Sequence, residues 1–190
     1  MKVLILAMGL IAASAVQAEN FSVDIPKLQG EAKQVIMKLA STLGGELKKA
    51  KEEGGASAAI TVCNTKAQNL TSLVSEASTW DVSRTSLKLR NSDNAPDDWE
   101  LAVLEQFESK AKQGANLKTL GFSQVLVDSE GRKIFRMMKA IPVSDQCLAC
   151  HGTKIKPELK ERLEVLYPDD KATGFSTGEL RGAFTLKKYL

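Results

Sequence analysis

Histidine is almost missing from this chain: His151 is the single one in 190 residues. Any site that needs a histidine pair is therefore excluded. Cysteine is scarce as well, with Cys63, Cys147 and Cys150 the only three. Aromatic residues make up 5%. Charge of neither sign dominates: 26 basic residues against 23 acidic ones leave a formal +3. That balance argues against a nucleic-acid partner and against a strongly charged docking surface. Beyond the first eighteen residues no apolar run approaches the roughly 20 residues of a membrane span. No internal repeat and no low-complexity linker is found.

What is present begins with residues 1–18. Lys2, the apolar run from Val3 to Val16 and the small-residue site Val16-Gln17-Ala18 read as a cleaved secretory signal, with cutting before Glu19. The alternative is an uncleaved N-terminal anchor, although the run is short for one. Removing the leader takes away Lys2 alone among the charges, so +3 becomes +2. The remainder, 19–190, is of one-domain size and long enough to bury a core. Export predicts a periplasmic location and no membrane span in the mature chain.

The most informative stretch is Cys147-Leu148-Ala149-Cys150-His151. Two cysteines three apart with histidine directly after the second form the attachment signature of a c-type haem. Two thiols at that spacing meet the two vinyl groups on one porphyrin edge, and the adjacent imidazole then reaches the iron. Gly152 follows, and a residue without a side chain lets the chain turn away close to the ring. Three other uses of such cysteines compete: a redox dithiol, a Cys₃His zinc site and a structural disulfide. The first lacks a thioredoxin-like pattern around it, and the second must recruit the distant Cys63. Covalent haem is attached outside the cytoplasm, so the leader and the motif support one another. The expectation is one covalent haem c, whose two propionates would bring the net charge near zero.

Periodicity then supplies a layout. Leu28, Ala32, Val35, Ile36, Leu39, Leu43, Leu47 and Ala50 recur at three- and four-residue steps and predict a helix over 26–52. Gly54-Gly55 ends it. A second helix over 57–77 carries Cys63, Ala67, Leu70, Val74 and Ala77 on one face, so an antiparallel helix pair is expected. Thr85, Leu87 and Leu89 alternate with Arg84, Ser86, Lys88 and Arg90, which predicts a strand over 82–90. Pro96-Asp97-Asp98 opens a helix with Trp99, Val103, Leu104 and Phe107 inside, and Gly114 is its C-cap. Phe122–Val127 and Arg132–Ile141 read as a hairpin around Asp128-Ser129-Glu130-Gly131. A short helix over Pro157–Leu166, a loop to Gly178 and a strand over Gly182–Tyr189 complete an α+β fold.

The iron's second axial position is a separate question. His151 takes one side. Met37, Met137, Met138, lysines, tyrosines and Cys63 are candidates for the other. Cys63 has no disulfide partner once Cys147 and Cys150 hold the haem, and an unpaired thiol in an exported chain calls for an explanation. It is read either as the ligand or as an inert core cysteine packing as a small hydrophobe. The basic residues Arg84, Lys88, Arg90 and Arg181 are read either as propionate partners or as a solvated surface.

Four segments resemble a known family, the periplasmic single-haem c-type domains of unknown function with a PAS-like fold. They are Ala59-Ile60-Thr61-Val62-Cys63, the run Arg84 to Asn91 with Asn94-Ala95-Pro96 and Trp99-Glu100, Cys147 to Gly152, and Tyr167-Pro168 with Asp170, Ala172-Thr173-Gly174-Phe175, Gly178 and Arg181-Gly182. Phe175 departs from the tyrosine common there. The resemblance implies an antiparallel PAS-like sheet behind the helix pair and a haem between His151 and the Cys63 sulfur. It also shifts Arg90 and Arg181 toward the propionates. The expected role is a redox or small-gas sensor, or else a one-electron carrier. An enzyme is not expected, because no second histidine provides acid–base chemistry. The chain carries no output domain, so a sensor would act through a redox or signalling protein partner.

Overall fold

Asp24 caps the first helix by accepting from the Lys27 N–H at 3.0 Å, and Pro26 occupies the first turn, where its missing N–H leaves nothing unpaired. The computed structural model describes residues 23–190. The leader expected over 1–18 lies outside the described residues. Helix α1, Ile25–Thr65, is two arms joined at Gly54 and Gly55, whose backbone leaves the helical region; Gly55 has φ 68°. The second arm returns along the first. Lys66 Nζ meets the Glu46 carboxylate at 3.2 Å, whereas a straight helix would separate residues 46 and 66 by about 30 Å. The expected antiparallel pair therefore forms, with its reversal at the two glycines. Helix α2, Ala67–Glu76, continues the second arm after an irregular Lys66.

Four strands follow: β1, Asp81–Thr85; β2, Gly121–Val127; β3, Lys133–Pro142; and β4, Leu180–Tyr189. They form one antiparallel sheet in the order β1-β4-β3-β2. Helix α3, Asp98–Lys112, lies between β1 and β2 in the chain. A one-turn helix α4, Leu148–His151, and helix α5, Pro157–Leu166, lie between β3 and β4. The α+β layout predicted from the sequence is therefore correct.

Strand alternation sends side chains to opposite faces. On one face Val82, Phe135, Met137 and Leu186 pack with Leu28, Ala32, Ile36 and Leu39 of α1. On the other, Met138, Ala140 and Ala183 pack with Val103, Leu104 and Phe107 of α3. The start of α3 is fixed by a reciprocal cap: Asp97 accepts from Glu100 N at 2.9 Å, and Glu100 accepts from Asp97 N at 3.1 Å. The β2–β3 hairpin turns where Asp128 Oδ1 accepts from Glu130 N and Arg132 N at 2.9 and 2.8 Å.

One element is shorter than predicted. The strand expected over 82–90 ends at Thr85. Alternation persists through Leu87 and Leu89, but Ser86 Oγ accepts from Lys88 N at 3.1 Å and donates to Arg181 O at 2.7 Å. These bonds bend the chain off the sheet edge. Gly182 lets Thr85 approach: a Cβ there would lie 2.3 Å from the Thr85 carbonyl oxygen. The bend carries Arg90 toward the haem-attachment motif.

Candidate functional site

The loop after β3 presents the motif. Asp145–Cys147 is a 3₁₀ turn leading directly into α4, so Cys147, Cys150 and His151 lie on consecutive tight turns. Ser144 steadies the first thiol, its N–H and Oγ lying 3.4 and 3.2 Å from Cys147 Sγ. Gly152 is also required by the local backbone. A Cβ on it would stand 2.6 Å from the Leu148 carbonyl oxygen, so the close approach is to its own helix turn.

His151 is oriented from behind. Its Nδ1 lies 2.7 Å from Ala172 O. A carbonyl can only accept, so Nδ1 carries the proton and Nε2 keeps its lone pair. Burial, reinforced by Arg181 and Arg90, depresses the imidazole pKa to about 3. The ring is therefore neutral, as a metal ligand must be. The loop holding Ala172 is in turn braced by Arg90. Its Nε and Nη2 donate to Asp170 Oδ2 at 3.0 and 2.9 Å, and Nη2 also reaches Cys150 O at 2.5 Å and Ala172 O at 3.3 Å. Asp170 Oδ1 accepts from Ala172 N at 2.8 Å. Arg90 thus joins the attachment turn to the loop that fixes His151.

Cys147, Cys150 and His151 open onto a cavity of about 540 Å³, whose opposite wall is α1. Gly44, Leu47, Lys48, Lys51 and Glu52 come from its first arm, and Ala59, Ile60 and Cys63 from its second. Arg90, Gln146 and Tyr167 complete the lining. The volume falls within the roughly 300–1,000 Å³ of cofactor sites. Cys63 is exposed to this space, so it is not the buried core cysteine of the second reading. The wall around it displaces enough bulk water to raise its thiol pKa, outweighing the nearby charges of Arg84, Arg90 and Lys51. A second cavity, about 490 Å³, lies between the start of α1 and the end of β4. It holds no cysteine or histidine, and its Lys188 is paired with Glu31 at 2.8 Å.

The remaining candidates separate by placement. Met137 and Met138 are buried in the two cores and Met37 is 54% exposed; none lines the cavity. Among the described residues no group of three or more His, Cys, Asp or Glu is arranged to hold a metal ion, so the Cys₃His zinc alternative is not assembled. No described helix is long and apolar enough to cross a membrane. Arg90 reaches the cavity wall, and only its Nη1 stays out of the brace. Arg181 stands outside the lining. Its Nη1 donates to Ser86 Oγ at 2.9 Å and Lys88 O at 3.2 Å, and burial with Arg90 nearby lowers its pKa to about 10. Sequence reasoning overlooked Lys48, Lys51 and Gln146 as lining residues. The three-residue step from Lys48 to Lys51 places both on one helix face, which is a readable signal. The pairing of Arg90 with Asp170 had no local signal.

The residues fit the haem that the motif predicts: two thiols on one wall, a neutral imidazole beside them, a thiol on the facing helix and apolar surface between. An α+β domain with this donor set is a haem-binding domain. The Tll0287-like family matches residues 11–188, and the chain belongs to that family. A solved structure, that of the cyanobacterial haem protein Tll0287, superposes with a TM-score of 0.60 at 27% identity, covering 85% of this chain and 94% of that one. No curated protein matches the chain.

Proposed function

We propose that the chain is an exported monohaem c-type cytochrome that acts as a redox or small-gas sensor through His151 and Cys63. The observation that carries this reading is the shared cavity: Cys63 on the α1 wall opposite Cys147, Cys150 and His151. The haem character of the solved relative supports it. The PAS-like kinship implied by the sequence resemblance belongs to the same reading, as does the periplasmic location. Bound haem supplies a one-electron couple and, when one axial ligand leaves, a vacant position for a small gas.

The chain's residues have distinct parts in this. Cys147 and Cys150 form the two thioethers. His151 binds through Nε2, held in place by Ala172 O. Cys63 would be the second residue to hold the iron; as a thiolate it would favour the ferric form and keep the potential low, where methionine would raise it. On reduction that sulfur would have less charge to neutralise and could be held as a protonated, weaker donor. Lys48 and Lys51, with Arg90 through Nη1, are the cations at the cavity for the propionates. No residue here is assigned a catalytic role, and the change at Cys63 is passed to a protein partner.

The denatured exported protein should have the mass of the polypeptide plus one haem. Cys63→Ala should abolish the six-coordinate low-spin ferric spectrum and raise the potential. A spectrum and potential left intact by that change would defeat the reading. A wild-type protein that keeps both ligands on reduction would instead be a one-electron carrier.

A further inference from the structure

The two ends of the sheet are guarded unequally. A strand at an edge leaves a row of unpaired backbone groups, and natural edges are blunted by charge, proline, bulges or brevity. β1 is blunted in these ways: it is five residues long, carries Asp81 and Arg84, and runs into the Ser86 bend. β2 closes the other end of the order β1-β4-β3-β2 and is seven residues long, Gly121-Phe122-Ser123-Gln124-Val125-Leu126-Val127. None of its residues is charged, none is proline, and its register with β3 runs without a bulge. Its last residue, the apolar Val127, is 65% exposed.

The phase of the ladder says which groups are left over. Just before β2, Leu120 O accepts from Ala140 N at 3.1 Å; just after it, Asp128 N donates to Arg132 O at 3.0 Å. Both bonds fall on the β2–β3 register, so the even-numbered residues of β2 exchange hydrogen bonds with β3. The odd-numbered ones, Gly121, Ser123, Val125 and Val127, turn their N–H and C=O groups to the open edge. Among the described residues no backbone group reaches them there.

We propose that β2 is a homodimer seam: it pairs antiparallel with β2 of a second copy across a two-fold axis at Gln124, joining two four-stranded sheets into one. An axis there sets Ser123 opposite Val125 of the second copy and Gly121 opposite its Val127. All of these belong to the set with outward hydrogen bonds to give, so the seam is a regular ladder over the whole strand. A one-residue slip would oppose them to residues already bonded to β3. On the α3 face, Phe122 meets Leu126 of the second copy on either side of the axis, an aromatic–aliphatic pair. The exposed Val127 lies over a glycine. The same axis brings Lys118, which has no ion pair among the described residues, toward Glu130 of the second copy at both ends of the seam. No like charges meet between them. That complementarity favours a copy of this chain over an unrelated strand.

The test is the sedimentation mass of the purified haem-loaded protein over a dilution series. The wild type should run as a dimer when concentrated and dissociate on dilution. At the axis the two Gln124 residues form a close pair, with Cα atoms about 4.5 Å apart. Gln124→Lys or Gln124→Glu sets like charges opposite each other and should raise the dimer dissociation constant about fivefold. Equal amounts of the two variants, mixed, should recover a mixed dimer. Gln124 is exposed, and its one side-chain bond accepts from Trp99 Nε1 at 3.0 Å; if Gln124→Lys fails to accumulate folded, Gln124→Arg replaces it with the same outcomes deciding. A wild type that is monomeric at every concentration would overturn the proposal and leave the edge to an extended segment of another protein. A dimer that neither variant weakens, or weakened variants that mixing does not rescue, would overturn it as well, because the interface would then lie elsewhere.

Discussion

The two faces of the sheet are built to different standards of closure. Under α3, Glu100 accepts from Arg136 Nη2 at 3.0 Å and from Thr185 Oγ1 at 2.7 Å, although the buried Arg136 Nε has no acceptor. Arg136 also stacks on Trp99, 4.3 Å from the ring centroid. The surrounding core of Val103, Leu104, Phe107 and Met138 is buried and apolar. Toward the second arm of α1 and α4, the molecule instead lines a cavity with three cysteine sulfurs, the one histidine and Arg90. The first arrangement stabilises the fold, while the second gathers sulfur and imidazole donors at a cavity of cofactor size.

The contrast can be broken from either side. Glu100→Ala should have the largest effect on stability, about 3 kcal/mol, because it removes one of the two carboxylates on a nearly buried Arg136, the acceptor of the Thr185 hydroxyl and half of the α3 cap. Denaturant unfolding should show the loss, while the ferric haem spectrum stays as in the wild type. A spectral change there would mean that the two faces are not independent. Arg90→Met should cost less, about 2 kcal/mol, by freeing Asp170 and loosening the loop that orients His151. Here the potential and the low-spin spectrum should move along with stability; unfolding without spectral change would reduce Arg90 to a plain surface tie. Gly152→Ala should have the smallest effect, about 1–2 kcal/mol, as the α4 turn shifts to admit a Cβ beside the Leu148 carbonyl. Thermal melting would register it, and an unchanged melt would show that the turn yields freely.

Much of the fold was legible because its signals are local. Gly54-Gly55 marked the reversal of α1, Pro96-Asp97-Asp98 the start of α3, and Asp128 to Gly131 the hairpin. Pro157–Leu166 was read with its observed bounds. The strand through Arg90 was overextended because alternation at Leu87 and Leu89 continues past the point where Ser86 bends the chain. The cysteines and histidine of the site were legible for the same local reason, a fixed five-residue spacing. The roles of the arginines were not, because each depends on a partner far along the chain. Arg90 meets Asp170 eighty residues on, and Arg181 meets Ser86 across a separation of 95. No periodicity encodes such pairings.

The reversal at Gly54 and Gly55 also makes the second arm of α1 a lever. Cys63 lies eight residues past the joint, about 12 Å along a helix rising 1.5 Å per residue. A turn of about 5° at the glycines would carry the sulfur about 1 Å, more than a metal–ligand bond tolerates. The far end of the arm is pinned. Asn64 donates to Leu166 O at 3.1 Å, Arg162 to Thr61 Oγ1 at 2.9 Å, and Lys66 meets Glu46 at 3.2 Å. The soft joint and the pinned tip divide the labour: one permits an angle, the others select it. Small forces on those three ties are thereby geared into the placement of a single sulfur atom.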